Sequence, residues 1–331
     1  MFTAPELTTG SNAYRATIAT LPSRLEAKRN GYAERKVITS DGARLAVRDY
    51  GSTGAREHTV VLLHGLCLTQ ASWELQIRHL LRRWGNRIRV ISYDHRGHGD
   101  STGADMRTYR IDRLGTDLAE VLTALRVTGP LTLAGHSMGG MTALAYLGRP
   151  AADRPVEPQG LILVATAAGR LAERGVGRLL NTRATEMLFE LVHHMPRGAM
   201  DKTINGLVRP LCDGLTKFAS ANLKGAATLT ASAIRTTPLS TAAGFLPGLK
   251  RYDQYHVLSS IVANTIVISG GADIATPVAH ARDMVAAIPG AAHLHQPAAG
   301  HMMLQEHPRC VSDAIDRVLE MQNDDTRSAA S

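Results

Sequence analysis

Aromatic residues are scarce in this chain: Phe, Trp and Tyr together make up 4% of its 331 residues. Few rings are therefore available for stacking bases. The formal net charge of +8 comes mostly from scattered arginines, with no run of five or six like charges. That pairing argues against nucleic-acid recognition. The positive balance leaves open a peripheral attraction to anionic lipid surfaces, with a solvated basic surface as the plainer reading. Cysteine is equally sparse. Cys67, Cys212 and Cys310 are odd in number and far apart, which fits neither a disulfide framework nor a zinc site and suggests a reducing compartment. No uninterrupted apolar stretch approaches the roughly 18 residues that span a bilayer. The segment MFTAPELTTGSNAY lacks the basic start and apolar core of a secretory signal, so a cytoplasmic location is expected. Clustered metal ligands are missing too: His193-His194 is the one adjacent histidine pair and there is no H-E-x-x-H. No metal and no organic cofactor is expected.

What is present is a strand and helix alternation. Hydrophobic content of 44% and charged content of 20% are those of a globular protein large enough for a sizeable core. Residues 1–34 carry Thr, Ser, Pro and Arg without clear periodicity and read as an arm, partly helical around Tyr14 to Lys28. Two β-prone runs then flank Ser40-Asp41-Gly42-Ala43, a hairpin signal. Thr59–Leu63 is a continuous apolar run of the kind buried on both faces. A helix is expected over Ser72–Trp84 with Leu75, His79 and Leu80 on one side, then a strand over Arg89–Tyr93. Ile111, Leu114, Leu118, Val121, Leu122 and Leu125 recur at helical spacing. Leu131–Ala134 and Leu161–Ala165 are two more buried strands, separated by an Ala- and Leu-rich helical pattern. Alternation of this kind argues for a mostly parallel α/β sheet.

Between about Ala167 and Tyr255 the alternation breaks. Helical patterns lie around Leu179–His194 and Leu207–Leu223, while Thr236-Thr237-Pro238 and Leu246-Pro247-Gly248 read as turns. Strands resume at Thr265–Ser269 and Ala292–Gln296, followed by a last helix carrying Val311, Ile315, Val318 and Leu319. The organisation expected is an arm at 1–34, a core at 35–166 and 256–321, a helical insertion at 167–255 after the sixth strand, and a frayed tail at 322–331. No internal repeat is apparent, and the oligomeric state is left open.

Reactive groups in an open parallel sheet gather outside the C-terminal ends of the strands. Five stretches sit there: His64-Gly65-Leu66, Asp94 to Ser101, the turn Gly135-His136-Ser137-Met138-Gly139, Asp273 and His301. The serine at the turn has glycine two residues away on either side. Those glycines let a strand and a helix approach closely around a residue held at positive φ. The polar groups follow in the order Ser, Asp, His.

These motifs resemble those of α/β-hydrolase-fold proteins. The resemblance spans about Arg35 to Leu319 and rests on HGLC at 64–67, DHRGHGDS at 94–101, GHSMGG at 135–140, GGAD at 270–273 and GHMMLQEHP at 300–308. Its nearest likeness is to monoacylglycerol-lipase-like and carboxylesterase-like members with a helical cap. By similarity, Ser137 is the nucleophile, Asp273 the acid and His301 the base, with the backbone N–H groups of Leu66 and Met138 facing the oxyanion. His293, His295 and His307 compete with His301. The first two fall in or beside a strand, and the third comes a helical stretch later, before Pro308. Asp253 and Asp283 compete with Asp273, from the end of the insertion and from inside a helix. Asp94, Arg96 and His98 are expected to brace the structure, His136 to pack locally, and Cys67 to be a small buried side chain. The aspartate nucleophile of epoxide hydrolases and haloalkane dehalogenases is replaced here by serine.

The resemblance implies hydrolysis of carboxylic esters through an acyl-enzyme. An insertion rich in Met187, Leu188, Phe189, Leu191, Leu207, Leu211, Phe218 and Phe245 suits lipid-like or other apolar esters. The same three groups would also serve C–C bond hydrolysis, acyl transfer or cofactor-free perhydrolysis. A non-catalytic small-molecule receptor is the alternative from outside enzymology.

Overall fold

The computed structural model describes residues 17–18, 31–51, 57–194 and 237–330. Nine strands form one sheet: β1 (Thr17–Ile18), β2 (Ala33–Ile38), β3 (Arg44–Tyr50), β4 (His58–Leu63), β5 (Ile88–Tyr93), β6 (Leu131–His136), β7 (Gly160–Val164), β8 (Asn264–Gly270) and β9 (Ala292–Gln296). Their spatial order is β1-β2-β3-β5-β4-β6-β7-β8-β9. The first three pair antiparallel, β3 meets β5 antiparallel, and every pairing from β5 to β9 is parallel. This is the mostly parallel α/β sheet expected.

The helices are α1 (Glu74–Trp84), α2 (Ile111–Ala124), α3 (Met138–Leu147), α4 (Arg183–His194), α5 (Leu239–Arg251), α6 (Tyr255–Leu258), α7 (Val278–Ala287), α8 (Met303–Glu306) and α9 (Pro308–Ala330). Successive strand side chains point to opposite faces, and the core divides accordingly. Val61, Leu63, Ile91, Leu133, Leu163 and Val267 pack under Leu118 and Leu122 of α2, Leu144 of α3 and Met284 of α7. Val60, Leu62, Val90, Ile162, Val164 and Ile268 pack under Ile77 and Leu80 of α1 and Val311, Ile315 and Val318 of α9. A strand buried on both faces is nearly continuous in apolar residues, which is why β4, β6 and β7 lack polar alternation, with His58, Thr59, Thr132 and His136 as buried polar exceptions.

Several local expectations are corrected. Thr17–Ile18 is a strand paired with Val37 and Ile38, where a helical segment was read; the rest of 1–30 lies outside the described residues. The helix read from Ser72 begins at Glu74 after a 3₁₀ turn at Gln70–Trp73. Its buried stripe is Trp73, Ile77, Leu80 and Trp84, spaced three and four apart, and this leaves Leu75 45% exposed. Leu246-Pro247-Gly248 lies inside α5. Burial of Phe245 and Leu249 against α3 and of Ala243 against Val192 of α4 offsets the hydrogen bond that Pro247 cannot donate. The last helix continues to Ala330, since 319–330 contains no Gly or Pro to stop it.

The insertion follows β7, the sixth of the strands read from sequence. Its described parts are 3₁₀ turns at Leu171–Glu173 and Gly175–Asn181, α4 and α5. The pattern at Leu207–Leu223, Cys212 and Thr236 fall outside the described residues. Leu171, Phe245, Leu249 and Tyr252 form a cluster with Met138, Met141 and Ala145 of α3, with Leu66 against it. These described parts of the insertion are thus seated over the start of α3. No helix among the described residues is long and apolar enough to cross a membrane.

Candidate active site

Strand β6 ends at His136, and α3 starts two residues later. Between them Ser137 adopts φ 52°, ψ −118°, a backbone conformation that costs a non-glycine residue of order 1–3 kcal/mol. Contacts on all sides hold it there. The Ser137 N–H donates to the Val164 carbonyl at 2.9 Å, and its own carbonyl accepts from Gly140 N–H at 2.9 Å and Met141 N–H at 3.2 Å. The Thr166 hydroxyl donates to that carbonyl as well. The flanking glycines are required sterically: a Cβ on Gly135 would strike the backbone of Gly139 and Gly140, and a Cβ on Gly139 would strike the Leu63 carbonyl at the end of β4.

The loops after β8 and β9 are stitched together. Gly271 N–H donates to the Gln296 carbonyl and Ala272 N–H to the Ala299 carbonyl, both at 2.9 Å. This brings Asp273 under His301. The His301 ring spans the gap, with Nδ1 2.8 Å from Asp273 Oδ2 and Nε2 3.0 Å from Ser137 Oγ. Asp273 Oδ1 accepts from the N–H groups of Ala275 and Thr276 at 2.8 and 2.9 Å, and Oδ2 accepts from the Thr276 hydroxyl at 2.8 Å. Burial pushes the Asp273 carboxyl up. The adjacent His301 ring, its hydrogen bond and the Thr276 donors outweigh that and hold the group below its ordinary value. An anionic Asp273 fixes the proton of His301 on Nδ1 and leaves Nε2 to accept from the serine hydroxyl.

The structure therefore brings Ser137, His301 and Asp273 into one hydrogen-bonded row. The competing residues lie elsewhere. His293 Nε2 and His295 Nδ1 both meet the Ser269 hydroxyl, at 2.8 and 3.1 Å. Asp283 takes Arg174 at 2.7 Å and Tyr255 at 3.0 Å, and Asp253 accepts from Tyr255 N–H. Met138 is the first residue of α3, where a helix leaves its N–H groups without intrahelical partners. The loop carrying Leu66 runs alongside, with the Cβ position of Gly65 3.2 Å from Ser137 Cβ.

The stretch 94–101 braces that loop. Asp94 accepts from Gln70 N–H at 2.7 Å, Gln70 Nε2 at 3.1 Å and Asp100 N–H at 2.9 Å. His98 donates from Nδ1 to the Arg96 carbonyl and accepts the Cys67 N–H on Nε2, both at 3.1 Å. That bond steadies Cys67 at φ 57°. Cys67 was expected to be buried but is only partly so. His64 donates from Nδ1 to the Gly65 carbonyl at 2.8 Å and accepts the His95 N–H on Nε2 at 2.9 Å. Burial lowers His64 to about 4, while burial and the neighbouring His64 lower His98 to about 3. Both rings are therefore neutral.

Sequence reading missed three supporting groups: Thr166, Thr276 and Glu306, whose carboxylate accepts the Gly300 N–H at 2.5 Å. Thr276 left a signal, since Asp-x-x-Thr after a strand is a local side-chain capping pattern. Thr166 acts across the fold and leaves none, and Glu306 closes back on its own loop through no recurring pattern. Of the apolar residues read in the insertion, Phe245 is fully buried, while Met187 and Leu191 are 70% and 58% exposed. Leu207, Leu211 and Phe218 are outside the described residues. Among the described residues, His79, Asp313 and Asp316 could in principle gather a metal. Asp316 is already engaged by His79 Nε2 and Trp84 Nε1 at 2.7 Å and by Arg83 at 3.0 Å, so a guanidinium fills the role of the cation.

Comparison with known proteins agrees with the fold. A family model described as the alpha/beta hydrolase fold matches residues 58–308. The chain is 26% identical over 262 residues to the sn-1-specific diacylglycerol lipase ABHD11 of Mus musculus, covering 78% of this chain and 80% of that protein. It is 30% identical over 243 residues to 3-oxoadipate enol-lactonase 1 of Acinetobacter baylyi, covering 73% and 80%. A solved structure of a hydrolase from Pseudomonas aeruginosa PA01 aligns with a TM-score of 0.67 at 26% identity, covering 86% of this chain and 98% of that one.

Proposed function

The chain belongs to the α/β-hydrolase fold family and is a hydrolase related to its lipase and esterase members; from that premise we propose that it cleaves carboxylic esters of apolar acyl or alcohol groups through an acyl-enzyme on Ser137. The observation that carries the reading is the position of His301, whose two ring nitrogens lie 2.8 Å from Asp273 and 3.0 Å from a serine held at positive φ.

In this reading Ser137 Oγ attacks the ester carbonyl while His301 Nε2 takes its proton. Asp273 holds the Nδ1–H and stabilises the imidazolium. The N–H groups of Leu66 and Met138 receive the oxyanion, each donor worth roughly 3 kcal/mol of barrier. His301 then returns the proton to the departing alcohol. Water, deprotonated by the same nitrogen, attacks the acyl-serine and releases the acid, so ester and water become acid and alcohol.

The described parts of the insertion, residues 167–194 and 237–255, act as a cap over this site. Support comes from Phe245, Leu249 and Leu171 packing against Met138 and Leu66. An apolar roof favours an apolar ester. The names of two of its curated relatives, a diacylglycerol lipase and an enol-lactonase, support acyl C–O cleavage.

A fluorophosphonate probe should label the wild-type protein and leave Ser137→Ala unlabelled. Turnover of p-nitrophenyl esters from acetate to palmitate, of monoacylglycerols and of a ring-cleavage diketone then separates the chemistries. Ester turnover should drop about 10⁴-fold or more in Ser137→Ala. A folded wild-type protein that takes no label, or a Ser137→Ala variant that still hydrolyses the esters, would overturn the reading.

A further inference from the structure

His136 and Ser137 are consecutive in the chain, and both reach His301. Ser137 Oγ meets the end of the imidazole at 3.0 Å, while His136 Nε2 lies 2.8 Å from the backbone carbonyl oxygen of His301. A carbonyl only accepts, so His136 carries its proton on Nε2 and donates it. The result is a closed ring: from Ser137 through its hydrogen bond to the His301 side chain, along that residue to its carbonyl, across to His136, and back through one peptide bond.

The setting of His136 makes the bond specific. It ends β6, a central strand paired on both sides, and is itself paired with Val164. Its residue is 1% exposed. The ring is wedged between the His301 ring, with centroids 5.1 Å apart, and Gly65, whose Cβ position lies 3.0 Å from His136 Nδ1. That Nδ1 is buried with no hydrogen-bond partner among the described residues. A buried nitrogen left unpaired costs free energy that an apolar side chain of similar size would avoid. The imidazole is thus used for one donor, and that donor is aimed at the backbone of His301. The loop bearing His301 has little regular structure of its own, with β9 ending at Gln296 and α8 starting at Met303. On its other side Gly300 N–H is tied to Glu306.

We infer that His136 is a positioning residue that holds the backbone of His301 in register with Ser137, so that the base stays aligned with the neighbouring nucleophile throughout the acyl-enzyme cycle. This rests on the reading of Ser137 and His301 as nucleophile and base. His136 touches no reacting atom. Burial, reinforced by the adjacent His301 ring, lowers its own titration to about 3, so it remains a neutral donor throughout the range in which His301 would work.

The test compares two amides that differ in reach. In His136→Gln the side-chain nitrogen can occupy the position of Nε2; in His136→Asn it stops near that of Nδ1. His136→Leu keeps the bulk without a donor. The kinetic constants for a p-nitrophenyl ester, the rate of fluorophosphonate labelling and the thermal midpoint are measured for all three, with Ser137→Ala alongside. Asn and Leu should lower kcat and the labelling rate about ten- to a hundredfold with KM nearly unchanged, and Gln should restore most of the loss. Asn and Leu variants with wild-type kcat would overturn the proposal. So would a Gln variant as slow as Leu, which would point to packing, or Asn and Leu chains that cannot fold while Gln does, which would assign the bond to the fold. Ser137→Ala separates the two levels. If it stays active, the nucleophile reading falls and this inference with it; if it is inactive while Asn behaves as wild type, this inference alone falls.

Discussion

The hydroxyl of Thr166 donates to the backbone carbonyl of Ser137 across 2.6 Å. Thr166 comes from the turn after β7, where Ala165 itself sits at φ 46°, so two neighbouring strand ends with left-handed backbone brace each other. Thr166→Val keeps the shape and removes the donor. The Ser137 carbonyl would retain its bonds from Gly140 and Met141, so the expected loss is about 1 kcal/mol in urea unfolding. Ester turnover should fall several-fold as the serine turn loosens, and Thr166→Ser should restore both. A Val variant equal to wild type in both measurements would remove Thr166 from the supports of the site.

Arg96 is completely buried and makes a two-pronged pair with Asp117, Nε to Oδ2 and Nη2 to Oδ1, both at 2.7 Å. A second pair goes to Asp41 at 2.8 and 3.1 Å. It thereby anchors the turn whose His98 accepts the Cys67 N–H. Arg96→Leu leaves the buried Asp117 carboxylate with Arg113 alone, at 3.0 Å. The expected cost is about 3 kcal/mol, because removing one partner strands a charge in the interior. Adding Asp117→Leu should recover a large part of it, since the desolvated carboxylate goes too. Chemical unfolding of the single and double variants decides the matter. A single variant within 1 kcal/mol of wild type would mean that the pair contributes no more than a surface bridge.

The parts of this molecule that were legible in the sequence are those governed by short-range rules. Thr59–Leu63 and Leu161–Val164 read as doubly buried strands because a strand between two layers of helices is nearly continuous in apolar residues, Thr59 being the one polar position of the two runs. The turn at Ser137 was visible because Gly135 is forced by contact with the backbone of Gly139 and Gly140, and Gly139 by contact with that of Leu63. Thr166 and the reach of His136 to His301 were not visible, because each is a hydrogen bond between distant segments with no periodic trace; Glu306 closes back on Gly300 only six residues earlier, but through no recurring pattern. Pro247 misled in the opposite direction: its local preference for a turn was overridden by the packing of Ala243, Phe245 and Leu249. Leu75 did the same, since it is one apolar residue off the stripe formed by Trp73, Ile77, Leu80 and Trp84.

Buried histidines set the acid limit of stability, and His95, which burial holds well below the ordinary imidazole value, adds to the effect of His64, His98 and His136. Burial lowers His64 to about 4, and burial with a neighbouring imidazole lowers His98 and His136 to about 3. In the unfolded chain each would titrate near 6.5. Between those values the unfolded state binds protons that the folded state refuses, so stability rises with pH and is lost as pH falls below about 6.5. The geometry supplies the reason for two of them. A proton on Nε2 of His98 would face the Cys67 N–H, and one on Nε2 of His64 would face the His95 N–H. Each group contributes up to about 1.4 kcal/mol per pH unit in that window, so the three together make a steep slope against a typical stability of about 5–15 kcal/mol. Asp273 and Asp41, held below the ordinary carboxylate value against the opposing effect of burial by His301 and Arg96 respectively, add to the loss only at lower pH. Asp117, which burial raises despite Arg96, opposes it. Urea unfolding at pH 8, 7, 6 and 5 should therefore give free energies nearly level down to 7 and falling steeply below 6.5. His136→Gln should reduce the slope by the share of one histidine. Equal free energies at pH 6.5 and 5 would mean that these rings are protonated in the folded protein, which the hydrogen bonds they accept from Cys67 and His95 do not permit.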